Sequence, residues 1–94
     1  MISKTPIAAS HFMVHGKVQG VGFRYSAARE AERLRLFGWV RNVAYGDVEA
    51  WAEGPPEKLE LFYKWLCRGP EYSRVDSVEK TNKTPKGFFR FTIE

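Results

Sequence analysis

Ninety-four residues, 44 % of them hydrophobic and 28 % charged, suit one globular domain and leave no room for a second core. No apolar run approaches the roughly 20 residues of a membrane span. Met1–Ser10 lacks the apolar stretch of a signal peptide, and the single cysteine, Cys67, excludes an intrachain disulfide, so the cytoplasm is the expected compartment.

Periodicity and turn chemistry then place the elements in chain order. Met1–Ser10 reads as a loose extension, and His11–Val18, apolar and β-prone, as the first strand of a single domain over residues 11–94. Phe23, Ala27, Ala31 and Leu34 recur at helical spacing, which predicts a helix over Phe23–Leu36. Gly38–Val43 and Val48–Glu53 read as strands joined by a hairpin turn at Ala44–Asp47. A second helix is expected from Pro55-Pro56, with Leu59, Phe62, Tyr63 and Leu66 as its apolar stripe and Gly69-Pro70 as its stop. Its acids come early (Glu57, Glu60) and its bases late (Lys64, Arg68), as the helix dipole favours. Arg74–Thr81 and Phe88–Ile93 complete the pattern as two strands around the polar turn Asn82–Gly87. The order β-α-β-β-α-β plus a terminal strand is the split βαβ pattern of a ferredoxin-like α+β sandwich, both helices on one face of an antiparallel sheet.

The most informative run is Gly16-Lys17-Val18-Gln19-Gly20-Val21-Gly22-Phe23-Arg24, which places glycines and a fixed cation where a strand gives way to a helix. Glycines let the backbone curl with its N–H groups inward, the helix adds its positive end, and Arg24 supplies a planar fork for two phosphate oxygens. Gln19, Gly20, Val21, Gly22, Phe23 and Arg24 are therefore the candidate phosphate-binding residues. A cation is disfavoured at the positive end of a helix, so Arg24 calls for an anionic partner. Gly20 and Gly22 alone would signal only a tight turn, and Tyr25 stands where a dinucleotide fingerprint needs its third glycine. In a split βαβ unit the first two strands run parallel around the third, so their C-terminal ends share one edge of the sheet. Asn42 is thereby expected beside the loop. Lys17 adds positive potential or is simply an exposed strand-end lysine.

His11 and His15 share a strand face but stand more than about 13 Å apart at roughly 3.3 Å per residue, too far for one metal. No metal site and no cofactor are expected. Cys67 reads as a small packing residue or partly exposed thiol, with no base placed to activate it.

Taken together, Val18-Gln19-Gly20-Val21-Gly22-Phe23-Arg24, Gly38-Trp39-Val40-Arg41-Asn42 and Val48-Glu49-Ala50-Trp51-Ala52-Glu53-Gly54 resemble the acylphosphatase family. The resemblance runs from about Phe12 to Ile93, and Trp65-Leu66 and Gly69-Pro70 fall where that family closes its second helix. It implies a ferredoxin-like fold and metal-free hydrolysis of acyl phosphates to a carboxylate and inorganic phosphate. Arg24 would correspond to the family's phosphate-binding arginine and Asn42 to its water-positioning asparagine. The hairpin departs from the family pattern: Tyr45-Gly46-Asp47 stands where Asp-Gly is common, away from both catalytic positions.

The chemistry fits these residues. The leaving group is a carboxylate with a conjugate-acid pKa of about 4, so it departs unprotonated and no general acid is needed. Phosphoryl transfer then asks mainly for positioning and for charge on the equatorial oxygens. Asn42 can accept from and donate to an attacking water without being a strong base.

Two other classes compete. A net charge of +4 and 15 % aromatics would suit an RNA-binding ferredoxin-like module. Lys86-Gly87-Phe88 begins like its RNP1 motif, but Phe89 and Arg90 break the pattern. Arg29, Arg33 and Arg35 interleave with Glu30 and Glu32 as a solvated, salt-laced face, Arg41 reads as a solvated strand residue, and Trp39, Trp51 and Tyr72 as packing or cross-strand residues. The other alternative is a non-catalytic domain that binds phosphate or carbamoyl phosphate within a larger protein. A chain of this size favours the free-standing enzyme: a monomer whose partners are a small acyl phosphate and product phosphate, with neither nucleic acid nor membrane involved.

Overall fold

The computed structural model describes residues 6–94. Its elements are β1 (Ala8–Lys17), α1 (Phe23–Arg33), β2 (Phe37–Asn42), β3 (Val48–Gly54), α2 (Pro56–Arg68), β4 (Arg74–Lys83) and β5 (Phe91–Ile93), with one 3₁₀ turn at Ala44–Gly46. Strand β1 starts earlier than expected, because Ala8, Ala9 and Ser10 pair with Gly54, Glu53 and Ala52. The rest of the expected extension, Met1–Thr5, lies outside the described residues. Helix α1 ends at Arg33 and not Leu36: Arg35 takes φ +59° and the Leu36 N–H reaches back to the Ala31 carbonyl, closing the helix with a left-handed residue. Leu34 and Leu36 remain buried beyond that end.

The strand order is β4-β1-β3-β2-β5. As expected, β3 lies between β1 and β2, antiparallel to both, and β4 adds antiparallel to β1. Strand β5 pairs parallel to β2, so the sheet is mixed and not wholly antiparallel. The reason is the route of the chain. After β4 on one edge it crosses beneath the sheet through residues 84–90 and rises on the other edge beside β2, in the same direction.

Glu53 holds that crossing. Its carboxylate, 2 % exposed, accepts the backbone N–H groups of Lys86, Gly87 and Phe88 and the Trp51 indole N–H. Burial pushes the carboxyl up, but these donors outweigh it and hold the pKa below the ordinary value. Residues 86–88 thus bond Glu53 instead of a strand, which explains why β5 starts at Phe91 and not at Phe88.

The core forms where the helices cover the sheet. Ala27 and Ala31 let α1 approach closely, while Phe12, Val14, Val40 and Ala50 meet Phe23, Leu59, Phe62 and Leu66. Phe12 and Phe62 pack edge to face with centroids 5.5 Å apart. Gly16 sits at a break in the β1–β4 register with φ +141°, and a Cβ there would fall 2.1 Å from the Arg74 carbonyl oxygen, so only glycine fits.

The other face of the sheet is polar and aromatic. Trp39 and Trp51 stand directly opposite each other, and Arg41 lies over the Trp39 ring while its Nε donates to Glu49 at 2.7 Å. Arg41 is therefore ion-paired and not simply solvated. Tyr72, expected to pack, is exposed in a turn with φ +72°. Arg33 pairs with Glu30 as the salt-laced helix face predicts, and Cys67 is an exposed thiol.

His15 bridges Asp47, at 2.7 Å through Nδ1, and Glu79, through Nε2. The hydrogen bond to Glu79, then that to Asp47, raises the imidazole pKa above its ordinary 6.5. A raised folded pKa means that the stabilisation is complete below the unfolded value and is lost as pH climbs through the folded one. Replacing His15 with glutamine should therefore lower the melting temperature near about pH 6 and leave it unchanged near about pH 9. Melting curves across pH test this; an equal loss at both ends would refute the bridge.

Candidate active site

The sequence around α1 builds its N-terminus without a side chain. Gly22, at φ +75°, is the residue before the helix and contributes no side-chain cap, and the first turn holds no acid. Gly20 has the same φ, and a Cβ on either glycine would touch nothing within 4 Å. Backbone conformation and not crowding is what selects glycine there. The first N–H groups of α1 are left facing outward beside the one charged side chain of the turn, Arg24.

Arg24 is half-buried, and its Nη1 donates to the main-chain oxygen of Glu94 at 2.9 Å. Among the described residues no carboxylate side chain pairs with it. The bond exists because β5 runs parallel to β2: Glu94 follows Ile93, which pairs with Val40, and its N–H donates to the Val40 carbonyl. Strand β2 ends two residues later at Asn42, an exposed side chain opposite Val48.

These pieces meet around a cavity of about 200 Å³ lined by Gly20, Gly22, Phe23, Arg24 and Asn42, with Val18, Tyr25 and Ile93 at its apolar side. Of the six expected loop residues, four reach the cavity. Val21 packs instead against the core. Gln19 directs its amide at the hairpin, donating to the carbonyls of Val43 and Asp47 at 2.8 Å each. Any part Gln19 has in holding an anion falls to its backbone N–H. Tyr25, Ile93 and the main-chain oxygen of Glu94 were not singled out as site groups from sequence. Tyr25 follows Arg24 and was within reach of the motif, but the other two depend on the β2–β5 pairing. A wider groove of about 980 Å³ beside α1 and α2 mixes Arg29, Arg33 and Arg68 with Glu30, Glu32 and Glu71, and Asn42 is not part of it.

The fold and this corner define a ferredoxin-like α+β sandwich with a cationic glycine loop after β1 facing the end of β2, which runs parallel to β1 on the far side of β3. The acylphosphatase family profile matches residues 10–93. The chain belongs to the acylphosphatase family. It is 45 % identical over 84 residues to an acylphosphatase of Thermococcus kodakarensis, covering 89 % of this chain and 92 % of that one. It is 54 % identical over 83 residues to an acylphosphatase of Pseudomonas paraeruginosa, covering 88 % and 91 %. The crystal structure of acylphosphatase from Bacillus subtilis superposes with a TM-score of 0.90 at 39 % identity, over 93 % of this chain and 98 % of that one.

Proposed function

We propose that this protein hydrolyses acyl phosphates to a carboxylate and inorganic phosphate, with water attacking phosphorus directly and no metal taking part. The observation that carries this reading is the convergence of Arg24, Asn42 and the open N-terminus of α1 on one small cavity. Arg24 and the loop N–H groups bind the phosphoryl oxygens and stabilise the charge that grows on them; Asn42 accepts a hydrogen bond from the water through its carbonyl, donates one through its amide, and so orients the water in line with the leaving carboxylate. That carboxylate leaves without protonation, so neither an acid nor a covalent enzyme intermediate is required. The bond from Arg24 to Glu94 holds the guanidinium before substrate arrives, which lowers the reorganisation needed in the transition state.

The catalytic unit is a monomer of the cytoplasm built as one domain over residues 11–94, with Ala8–Ser10 added to its first strand. The lone cysteine and the charges along the outer strand β4 (Arg74, Asp76, Glu79, Lys80, Lys83) support this, since charged edges oppose strand pairing between molecules. No helix among the described residues is long and apolar enough to cross a membrane. The accessory-domain and RNA-binding alternatives are not favoured: the quoted acylphosphatases are matched over about nine-tenths of their length or more.

The test is hydrolysis of a small aromatic acyl phosphate with and without EDTA. Turnover that EDTA leaves unchanged is the expected result; loss of turnover to EDTA would refute the metal-free step, and an inactive protein would refute the enzyme.

A further inference from the structure

Gln19 lies in the phosphate loop, yet its carboxamide works on the hairpin. Nε2 donates to the carbonyls of Val43 and Asp47, and the Asp47 carbonyl also receives the Val43 N–H at 3.0 Å. These two carbonyls bracket the turn that begins one residue after Asn42. Among the described residues, no other side-chain hydrogen bond joins residues 19–23 to residues 43–47.

That turn needs a tie. Tyr45 holds φ +65°, in the left-handed region that costs a non-glycine residue roughly 1–2 kcal/mol, and its side chain is fully exposed and packs on nothing. Among the described residues the turn's other side-chain tie is His15 Nδ1 to the Asp47 carboxylate, which does not touch Val43, and a change of turn conformation there would move the end of β2. Gln19 is half-buried and needs both amide hydrogens for its two acceptors. A glutamate of the same shape would set oxygen against oxygen.

We infer that Gln19 is a positioning residue: through Val43 and Asp47 it fixes Asn42 at the distance from the anion-binding loop that in-line attack requires. The inference rests on the roles given to Arg24 and Asn42 above. A displacement of about 1 Å in an attacking group costs on the order of 10²-fold in rate, so a tie that leaves Arg24 alone still governs turnover.

The test uses Gln19→Met, which keeps the stem and removes the donors, and Gln19→Glu, each in the wild-type and the Asn42→Ala background. In the wild-type background Gln19→Met should lower kcat about tenfold or more while the inhibition constant of inorganic phosphate stays within about twofold. In the Asn42→Ala background the same change should cost kcat less than about twofold, because the group it positions is gone. Gln19→Glu should regain part of its lost kcat relative to wild type as pH falls and its carboxyl gains one proton to donate to one of the two carbonyls. A tenfold loss that persists without Asn42, phosphate inhibition weakened in step with kcat, or a Gln19→Glu profile that follows wild type would overturn the inference. Either Gln19 variant suffices if the other fails to fold. An inactive wild type, or one indifferent to Asn42→Ala, would instead sink the functional reading; an active, Asn42-dependent enzyme unaffected by Gln19 variants sinks only this one.

Discussion

Replacing Arg24 with alanine is expected to lower kcat/KM for a small acyl phosphate by about 10³-fold and to abolish competitive inhibition by inorganic phosphate. The size follows from what remains. A helix N-terminus contributes only about 0.3–2 kcal/mol to holding an anion, whereas the guanidinium offers charge-assisted, two-point bonds roughly twice as strong as neutral ones. Among the described residues no other charged side chain lines the cavity. Arg24→Lys should recover little, since an ammonium group cannot hold the Glu94 main-chain oxygen and a phosphoryl oxygen in one plane. Steady-state kinetics with phosphate as inhibitor measures both effects. A loss below about tenfold would move the anion site elsewhere in the molecule.

Asn42→Ala should give a different signature: kcat falls by about 10²-fold while phosphate still inhibits. Asn42 is exposed at the end of β2 and its side chain has no protein hydrogen-bond partner among the described residues, so the change leaves no buried group unsatisfied and should alter stability by less than about 0.5 kcal/mol. Asn42→Asp should be as inactive near neutral pH, because a carboxylate has no N–H to donate and repels the bound anion. Parallel loss of phosphate binding in Asn42→Ala would show that Asn42 holds phosphate and not water.

The boundary between what the sequence made legible and what it did not follows the range of the interactions. Apolar spacing located both helices because Phe23, Ala27 and Ala31, like Leu59, Phe62 and Leu66, are a few residues apart and answer to one core. The meeting of the 19–24 loop with Asn42 was also legible, since the split βαβ order alone puts the ends of β1 and β2 on one edge. The parallel seat of β5 was not, and with it went the Arg24–Glu94 bond. Three residues of strand carry no periodicity that could choose a partner. Glu53 shares its strand with another glutamate, Glu49, and besides the nearby Trp51 indole its partners are backbone N–H groups more than thirty residues away, which have no side-chain signature. Gln19 was assigned to the loop by its neighbours in sequence, and only the geometry separates its backbone from its side chain.

The position of β1 near the middle of the sheet governs how the molecule is made. One side of it pairs with residues 48–54 and the other with residues 74–83, so the first strand completes its hydrogen bonding only after most of the chain has arrived. Long loops must close before those pairings return any free energy, which places folding toward the millisecond-to-second range and not among the fast helical domains. During synthesis the β2–β3 hairpin has all its own residues early, but the strand between it and β4 waits with one edge bare. Recovery of turnover after dilution from denaturant consequently reports the closure that involves the end of the chain, the seating of β5 that brings Glu94 to Arg24, and should lag behind signals from local structure.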